Sequence, residues 1–402
     1  MGQSCPSHRW TSSDRWTDLL VHRSTDTALW RPWPEVARNL SKNTNAVDAS
    51  LAGFAISIRG NVLLRRTDEL RASISPTPVS EIVVEYRGRA HELALKHESH
   101  HPTGSIKHRT AVGLLAELDR REPLEPGTVI VESTSGNLGL ALARLIRILD
   151  CRFIAVIDRN TPEPTVESLA SNGVDLEFVN ESDGHGGYLL SRLRTVAELL
   201  RSEPGYRWTD QYHSPANPRI HQQTTAPEIL RQGGAALDAV YVAVSTGGTL
   251  AGISAHLRTA RSDVRVVAVD AVGSLVTGDT GHKRLITGLG ASRKSCFLTS
   301  ASFDFVTRVA PAETVPTCRM FRQDTGIALG GSSGSVVHSY LCDLERGQFP
   351  RRALGLCPDD GSKYEGTIYA DKWLDETRLS VEVHRTIEKF RSAGAAFTIG
   401  IG

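Results

Sequence analysis

The chain has 402 residues, of which 40% are hydrophobic and 23% are charged, and its formal net charge is +1. This composition is typical of a globular protein large enough for two domains, and it excludes the strong basic field of a general nucleic-acid or anionic-membrane binder. No apolar run is long enough for a membrane helix and no signal-peptide pattern is present, so we expect a cytoplasmic protein with no membrane and no nucleic-acid partner. The six cysteines are scattered without a CxxC pair, so we expect reduced thiols and no metal site.

Residues 1–75 are interpreted as an N-terminal extension of the main fold. Four of the six tryptophans lie there, at Trp10, Trp16, Trp30 and Trp33, among Ser, Thr, Asp and Arg residues. This aromatic density favours a segment that docks onto a partner or onto the main body over a freely disordered tail. The composition assigns no chemistry to the segment.

The pattern becomes regular after residue 75. Two runs, 82–86 and 92–96, predict a β-hairpin around Arg87-Gly88-Arg89. Further strands are predicted at residues 128–131, 152–157, 175–179, 239–244, 264–269 and 353–357, and helices at residues 109–118, 138–149, 164–171, 188–200, 250–259, 312–324 and 335–345. Alternating strands and helices predict parallel sheets that are covered on both faces, which is an α/β fold.

A lysine stands at the start of the first long predicted helix. Lys107 follows the turn-forming run Pro102-Thr103-Gly104-Ser105. The positive end of the helix dipole and desolvation in a cleft would both lower the pKa of its ammonium group. A neutral amine is the form that makes a Schiff base with an aldehyde. Taken alone, the position is more typical of a solvated surface lysine.

A second loop has the composition of an anion cradle. It follows the predicted strand 239–244, precedes a helix, and consists of Ser245, Thr246, Gly247, Gly248 and Thr249. Glycines allow the backbone to approach an anion closely, and the helix N-terminus supplies N–H donors. The loop lacks the lysine of a nucleoside-triphosphate P-loop, so it predicts a simple phosphate site or an ordinary strand-to-helix turn.

Two other loops complete a recognisable set. The hydroxyl and N–H groups of Ser133, Thr134, Ser135 and Gly136 are suited to a carboxylate, and Asn137 can direct its amide at a polar oxygen. In the predicted turn 330–334, Ser332 or Ser333 could face a ring nitrogen. An amine, a phosphate cradle, a carboxylate cradle and a hydroxyl for a ring nitrogen match the groups of bound pyridoxal 5′-phosphate.

These motifs resemble the cysteine synthase and cystathionine β-synthase family. The resemblance rests on four segments in the family's order and spacing, PTGSIK (102–107), TSGN (134–137), STGGT (245–249) and GSSG (331–334), and it spans residues 75–373. Three further segments, ESTSGNLG (132–139), GGYL (186–189) and PDDGSKY (358–364), are similar to the branch that joins O-phospho-L-serine to L-glutamate on the route to 2,3-diaminopropionate.

The resemblance implies fold type II of the pyridoxal-phosphate enzymes, similar to the tryptophan synthase β subunit. Two three-layer α/β/α domains would then hold the cofactor between them, in a homodimer. The larger domain would contain residues 76–100 and 223–374, and the smaller and mobile one residues 101–222. Residues 375–402 are amphipathic and then rich in Gly and Ala, so we expect them to form a peripheral C-terminal tail.

The resemblance also implies a role for each site residue. Lys107 would form the internal aldimine and act as general base, Asn137 would bind the cofactor's 3′-oxygen, and residues 245–249 would hold its phosphate. Ser133, Thr134, Ser135, Gly136 and Asn137 would bind the substrate carboxylate. Ser332, or less favourably Ser333, would face the pyridine nitrogen. An activated serine would lose its β-substituent to give an aminoacrylate, to which a nucleophile then adds.

The nucleophile and the leaving group stay open at this point. An amino-acid nucleophile acting on O-phospho-L-serine or O-acetyl-L-serine is favoured by the branch motifs. A cysteine synthase that uses sulfide, a serine/threonine dehydratase and a non-catalytic scaffold are the alternatives. Arg293 and Lys294 are candidates for binding a phosphate leaving group, or form a solvated pair. His108 stands where the family usually has aspartate, which leaves activity in doubt if that position tunes Lys107.

Overall fold

Two separate β-sheets organise the chain in a computed structural model, which describes residues 65–184 and 187–400. The strands are β1 (Val79–Tyr86), β2 (Arg89–His97), β3 (Val129–Ser133), β4 (Arg152–Asp158), β5 (Asp175–Val179), β6 (Arg207–Trp208), β7 (Ala239–Ala243), β8 (Arg265–Ala271), β9 (Phe305–Val309), β10 (Ala353–Cys357) and β11 (Ala396–Ile399). The α-helices are α1 (Arg66–Ala72), α2 (Lys107–Arg121), α3 (Asn137–Ile148), α4 (Glu163–Ser171), α5 (Leu189–Ser202), α6 (Ala216–Ile220), α7 (Ala226–Gly233), α8 (Gly248–Ala260), α9 (Pro311–Thr325), α10 (Gly331–Glu345), α11 (Asp371–Thr377) and α12 (Ser380–Ser392).

The larger sheet has seven strands in the order β11-β1-β2-β10-β7-β8-β9. The hairpin β1–β2 and the edge strand β11 are antiparallel, and the strands from β2 through β10 to β9 run parallel. Successive residues of β7 point to opposite faces, so Tyr241 packs with α9 and α10 while Val240 and Val242 pack with α7 and α8. The sheet is therefore the middle of three layers.

The smaller sheet has four parallel strands in the order β5-β4-β3-β6. One face is covered by α2, α3 and α4, with Leu142 and Leu169 among the buried contacts. The other face is covered by α5, where Val196 packs against Val131 and Val156. Each sheet thus has helices on both faces, and the predicted α/β architecture of two three-layer units is confirmed.

The N-terminal boundary differs from the prediction. Helix α1 lies inside the segment expected as an extension, yet Leu70 belongs to the core around α2 and α3, and Thr67 Oγ1 donates a 2.6 Å hydrogen bond to Asp119 Oδ2. One buried leucine in a seven-residue helix is too weak a periodic signal to detect in sequence. The tryptophan-rich part, residues 1–64, lies outside the described residues.

The C-terminal boundary also differs. Instead of a peripheral tail, α12 packs against α9, and β11 pairs with β1 as an edge strand of the larger sheet. Phe390 and Phe397 are both 2% exposed and lie in the core of that sheet. Strand β11 is four residues long in a Gly/Ala-rich context, and short edge strands of this kind carry little sequence signal.

Two smaller differences concern the start of α10 and the edge strand β9. Residues 331–334, expected as a turn, are the first turn of α10, and β9 was not predicted.

Among the described residues, no helix combines the length and apolarity that crossing a membrane requires.

Candidate active site

Lys107 is the first residue of α2 and lines an open cleft at the carboxyl ends of β7 and β10. The cleft is lined by Ile106, Lys107, Ala243, Ser245, Thr246, Gly247, Thr249, Leu250, Gly288, Leu356 and Pro358. The side chain of Lys107 is half-buried, and desolvation lowers its pKa to about 8. About a tenth of the amine is therefore neutral at pH 7, far more than for a lysine of ordinary pKa, and the neutral amine is the form that makes a Schiff base. The structure places the predicted lysine and the predicted phosphate loop at one site.

The loop 245–249 has the shape of an anion cradle. Gly247 adopts φ +91° at the N-cap of α8, a left-handed conformation that glycine takes without strain. A Cβ on Gly248 would lie 2.1 Å from Oδ1 of Asn217, so the loop packs tightly against that side chain. The first N–H groups of α8 have no partner within the helix and lie at its electropositive end. A phosphate fits this position.

Two polar side chains beneath the loop hold its hydroxyl groups in place. Asn217 Nδ2 donates to Thr246 Oγ1 at 3.2 Å, and His221 Nε2 lies 3.2 Å from Thr249 Oγ1. His221 is fully buried within a π-helical turn, and burial, followed by the charge of Lys107, lowers its pKa to about 3. It is therefore a neutral hydrogen-bonding residue at neutral pH. Neither residue was identified from the sequence.

A buried charge cluster lies behind the first turn of α2. Arg109 donates from Nε to Glu98 Oε2 at 2.8 Å and from Nη2 to Glu228 Oε2 at 2.6 Å. Lys96 Nζ lies 2.8 Å from Glu228 Oε2. Burial opposes ionisation of Glu98, but the nearby His101 ring and the charged, hydrogen-bonded Arg109 hold its pKa below the usual range. Two cations thus face two carboxylates, and the cluster fixes the helix that carries Lys107.

The surroundings of His108 indicate that it does not set the pKa of Lys107. Its ring stacks on that of His101, with centroids 5.0 Å apart and an interplanar angle of 20°. Burial, followed by the charges of His101 and Arg109, lowers the pKa of His108 to about 4, so it is neutral at pH 7. Burial is the one cause that lowers the pKa of Lys107. His108 therefore contributes to packing at the helix start.

The predicted carboxylate cradle lies at the junction between β3 and α3. Ser133 ends β3 with a buried hydroxyl that has no hydrogen-bond partner among the described residues. Thr134 Oγ1 accepts from the N–H of Gly139 at 2.9 Å, while Ser135, Gly136 and Asn137 are half-buried. The loop thus offers hydroxyl groups and the N-terminus of α3 to a carboxylate. It does not contribute to the lining of the cleft around Lys107.

A buried glutamate lies directly behind this cradle. Glu132 accepts hydrogen bonds from Thr209 Oγ1, from the Gln211 N–H at 3.2 Å and from Gln211 Nε2 at 3.3 Å. Burial nevertheless raises its pKa to about 7. Gln211 Nε2 also donates to the carbonyl oxygen of Ser133 at 2.9 Å, so the pair orders the end of β3.

The two candidate serines of α10 have different partners. Ser333 Oγ donates to the carbonyl oxygen of Asp359 at 2.8 Å. Ser332 is 2% exposed in the same turn, and it lies outside the lining of the cleft around Lys107. Because the Ser333 hydroxyl is engaged with Asp359, Ser332 remains the better candidate for a ring nitrogen.

Asn137 connects the cradle to the loop that follows β10. Its Nδ2 donates to Asp359 Oδ2 at 2.8 Å, and its Oδ1 accepts from Lys363 Nζ at 2.6 Å. Asp359 directly follows Pro358, which lines the Lys107 cleft. The partners of Asn137 are more than 220 residues away in sequence, and only their place after a predicted strand hinted at a role.

Three arginines surround Tyr212 next to the end of β3. Burial raises the pKa of Tyr212, and the charges of Arg192, Arg293 and Arg284 oppose that rise. Arg293 Cζ lies 5.9 Å from the ring centroid of Tyr212. Arg192 is 8% exposed, its Nε lies 3.2 Å from Asp158 Oδ2, and its Nη1 has no hydrogen-bond partner among the described residues. A buried guanidinium with an N–H group that lacks a partner among the described residues is suited to bind an anionic ligand.

Arg293 and Lys294, which were predicted as a possible phosphate-binding pair, lie in two different environments. Arg293 belongs to the group around Tyr212, with Nη2 lying 3.1 Å from Nε2 of His213. Lys294 is exposed, and its Nζ donates to Asp279 Oδ1 at 2.7 Å. Sequence analysis therefore identified one arginine of the group and missed Arg192 and Arg284, which lie in separate segments.

The donor set fits pyridoxal phosphate. It combines an amine of lowered pKa, a helix N-terminus with hydroxyl groups for a phosphate, and an amide on a second helix N-terminus. Across residues 65–184 and 187–400, no group of three His, Cys, Asp or Glu side chains is arranged to hold a metal ion. The arrangement is suited to chemistry on an amino acid bound through its amine and its carboxylate.

Comparisons with known proteins agree with this chemistry. The family profile "Pyridoxal-phosphate dependent enzyme" matches residues 70–356. N-(2-amino-2-carboxyethyl)-L-glutamate synthase of Ralstonia nicotianae is 38% identical over 301 residues, covering 75% of this chain and 89% of the relative. The enzyme of the same name from Cupriavidus metallidurans is 35% identical over 305 residues, covering 75% of this chain and 89% of the relative.

A solved structure gives the same result at the level of the fold. The crystal structure of O-ureido-L-serine synthase superposes with a TM-score of 0.67 at 29% identity, covering 77% of this chain and 98% of the other. Its chain, like those of the two relatives, is matched over most of its length. The chain therefore belongs to the pyridoxal-phosphate dependent enzymes of the cysteine synthase type.

Proposed function

We propose that this enzyme joins O-phospho-L-serine to L-glutamate, forming N-(2-amino-2-carboxyethyl)-L-glutamate and inorganic phosphate. The coarser statement, a pyridoxal-phosphate enzyme that replaces the β-substituent of a serine derivative, follows from the family. Two curated relatives above 30% identity bear the name of this synthase, which supports the finer assignment.

The reaction divides between the cofactor and the residues of the chain. Bound pyridoxal phosphate withdraws electrons from Cα of the amino acid, which allows the Cα–H bond to ionise. The Lys107 amine accepts the Cα proton and later returns it. The Cβ–O bond breaks as phosphate leaves, and a bond forms between Cβ and the glutamate nitrogen, which loses a proton. Residues 133–137 hold the substrate carboxylate meanwhile.

The observation that carries the choice of leaving group is Arg192. Its guanidinium is buried, lies at the carboxyl end of the smaller sheet beside Asp158, and has no acceptor at Nη1 among the described residues. Arg284 and Arg293 add positive charge around the same tyrosine, Tyr212. A phosphate dianion would be stabilised here far more than a neutral acetyl ester.

The experiment offers two donors and two acceptors to the enzyme loaded with pyridoxal phosphate. O-phospho-L-serine and O-acetyl-L-serine are compared first, each with L-glutamate and with sulfide, and products are identified by mass. We expect phosphate release that depends on glutamate. Consumption by sulfide alone would make the enzyme a cysteine synthase, and pyruvate without an acceptor would make it a dehydratase. If neither donor reacts, the alternative that the protein is a non-catalytic scaffold is favoured.

Arg192→Met tests the leaving-group assignment directly. We expect kcat/KM for O-phospho-L-serine to fall by about 100-fold, in the range measured when one hydrogen-bond donor to a developing anion is removed. The value for O-acetyl-L-serine should fall much less. Arg194→Met is the matched control, since Arg194 lies on the same helix and is exposed. An equal loss for both donors would contradict the assignment.

We further propose that the active protein is a homodimer in the cytoplasm, with residues 101–222 moving as a unit against residues 76–100 and 223–374. These expectations come from the resemblance to the family. Light scattering of the enzyme in solution tests the assembly, and a monomeric mass with full activity would contradict it.

A further inference from the structure

The side-chain amide of Asn137 lies between two groups of opposite charge. Asp359 Oδ2 accepts from Nδ2 at 2.8 Å, and Lys363 Nζ donates to Oδ1 at 2.6 Å. Asn137 begins α3, which covers the smaller sheet, whereas Asp359 and Lys363 follow β10 of the larger sheet. The contact therefore joins the two halves of the enzyme beside the cleft.

The two partners allow one orientation of the amide. A carboxylate can only accept hydrogen bonds and an ammonium group can only donate them. A flipped amide would direct its oxygen at Asp359 and its N–H groups at Lys363, losing both hydrogen bonds and adding two repulsive contacts. The second N–H of Nδ2 is thus the donor that Asn137 retains for a ligand.

The loop that carries these charges is itself anchored. Tyr364 Oη donates to Asp359 Oδ2 at 2.8 Å, and the Gly361 N–H donates to the carbonyl oxygen of Ala328 at 2.8 Å. The Ile106 N–H, directly before Lys107, donates to the carbonyl oxygen of Pro358 at 2.9 Å. The same loop therefore contacts the segment before Lys107 and the side chain of Asn137.

We propose that Asp359 and Lys363 are positioning residues that fix the Asn137 amide, so that an N–H, and not the carbonyl oxygen, is presented to the ring oxygen of pyridoxal phosphate. The inference rests on the role of Asn137 proposed above and is independent of which donor and acceptor amino acids are used. The ammonium of Lys363 also polarises the amide, which makes the remaining N–H a stronger hydrogen-bond donor.

Lys363→Met is the variant that carries the test, because Lys363 is exposed whereas Asp359 is 3% exposed and close to the core. Its first measurement is the absorbance spectrum of the cofactor-loaded protein before any substrate is added. We expect a changed ratio of the visible to the near-ultraviolet band of the cofactor, and about a fivefold rise in its dissociation constant measured by fluorescence. Thermal melting of the cofactor-free variant should match the native protein.

Kinetics then separate positioning from substrate binding. We expect kcat of Lys363→Met to fall about tenfold while KM for the donor amino acid changes less than twofold, and Lys363→Arg to restore spectrum and rate. Lys372→Met is the control, since Lys372 is also exposed and lies on α11. An unchanged spectrum in Lys363→Met would overturn the proposal. A rise in KM alone would also overturn it, because Lys363 would then bind a substrate anion. The spectrum needs no substrate, so it is readable even if O-phospho-L-serine is not the donor.

Discussion

The guanidinium of Arg109 donates two hydrogen bonds to the carboxylate of Glu228, at 2.7 Å from Nη1 to Oε1 and at 2.6 Å from Nη2 to Oε2. The pair is buried and 119 residues apart in sequence. Arg109 lies two residues after Lys107 in α2, and Glu228 lies in α7 on the larger sheet. The pair therefore connects the first turn of the lysine helix to the other half of the enzyme.

Glu228→Gln should destabilise the protein. The substitution leaves Arg109 and Lys96 with Glu98 as their one nearby carboxylate, and breaking a buried pair in this way costs about 3–5 kcal/mol of unfolding free energy. Urea unfolding measures the loss. Glu365→Gln, which removes an exposed partner of Arg322, should leave the midpoint unchanged. Equal midpoints for the two variants would show that the buried pair contributes no net stability.

Lys107→Ala should abolish turnover and the visible absorbance of the bound cofactor together. In the native chain, the pKa of about 8 predicts that capture of pyridoxal phosphate by the cofactor-free protein depends on pH. The neutral fraction of the amine rises from about a tenth at pH 7 to about nine tenths at pH 9, so the rate should rise about tenfold. Stopped-flow absorbance measures the rate. If Lys107→Ala retained turnover, Lys107 could not be the catalytic lysine.

Gly248→Ala should weaken cofactor binding by at least about tenfold, because a Cβ there would lie 2.1 Å from Asn217 Oδ1 and the loop would have to shift. Fluorescence titration with pyridoxal phosphate measures the affinity. Gly205→Ala is the control, since a Cβ at Gly205 meets no atom within 4 Å. Native affinity in Gly248→Ala would place the phosphate elsewhere.

His108→Asn should keep the cofactor spectrum and the pH dependence of capture, with turnover within about threefold of the native enzyme. His108 is neutral at pH 7, since its pKa is about 4, and burial is the cause that lowers the pKa of Lys107. The measurement is the rate of cofactor capture by the cofactor-free protein as a function of pH. A shift of that profile by a full pH unit would mean that position 108 tunes the lysine after all.

Glu132→Gln should stabilise the protein more at pH 8 than at pH 5. Burial raises the pKa of Glu132 to about 7, so the native protein loses stability as the pH rises from the unfolded pKa, near 4.5, through the folded pKa. The amide does not ionise, and the difference between variant and native protein should approach about 3 kcal/mol above pH 7. Thermal melts at both pH values measure it, with the exposed Glu203→Gln as control. A difference that is independent of pH would contradict the raised pKa.

Much of the candidate site could be predicted from sequence because its motifs are local. Lys107, residues 133–137 and residues 245–249 each occupy the junction between one element and the next helix, and helix N-termini bind anions by their own backbone geometry. The alternation of strands and helices predicted parallel sheets covered on both faces. The strand and helix positions near the site agree with the structure within a few residues.

The tertiary structure decided the contacts that join distant segments. Asn137 meets Asp359 and Lys363 across more than 220 residues, Arg109 meets Glu228 across 119, and the arginines around Tyr212 come from separate elements. The sequence of a single segment does not predict which charged side chains will be buried together, because their contacts depend on how the two sheets pack. The sequence by itself determined the family and the cofactor and predicted Lys107 as the catalytic lysine, since each depends on short motifs with their own backbone chemistry. The orientation of Asn137, the neutrality of His108 and the burial of Arg192 depend on desolvation and on neighbours brought together only by folding.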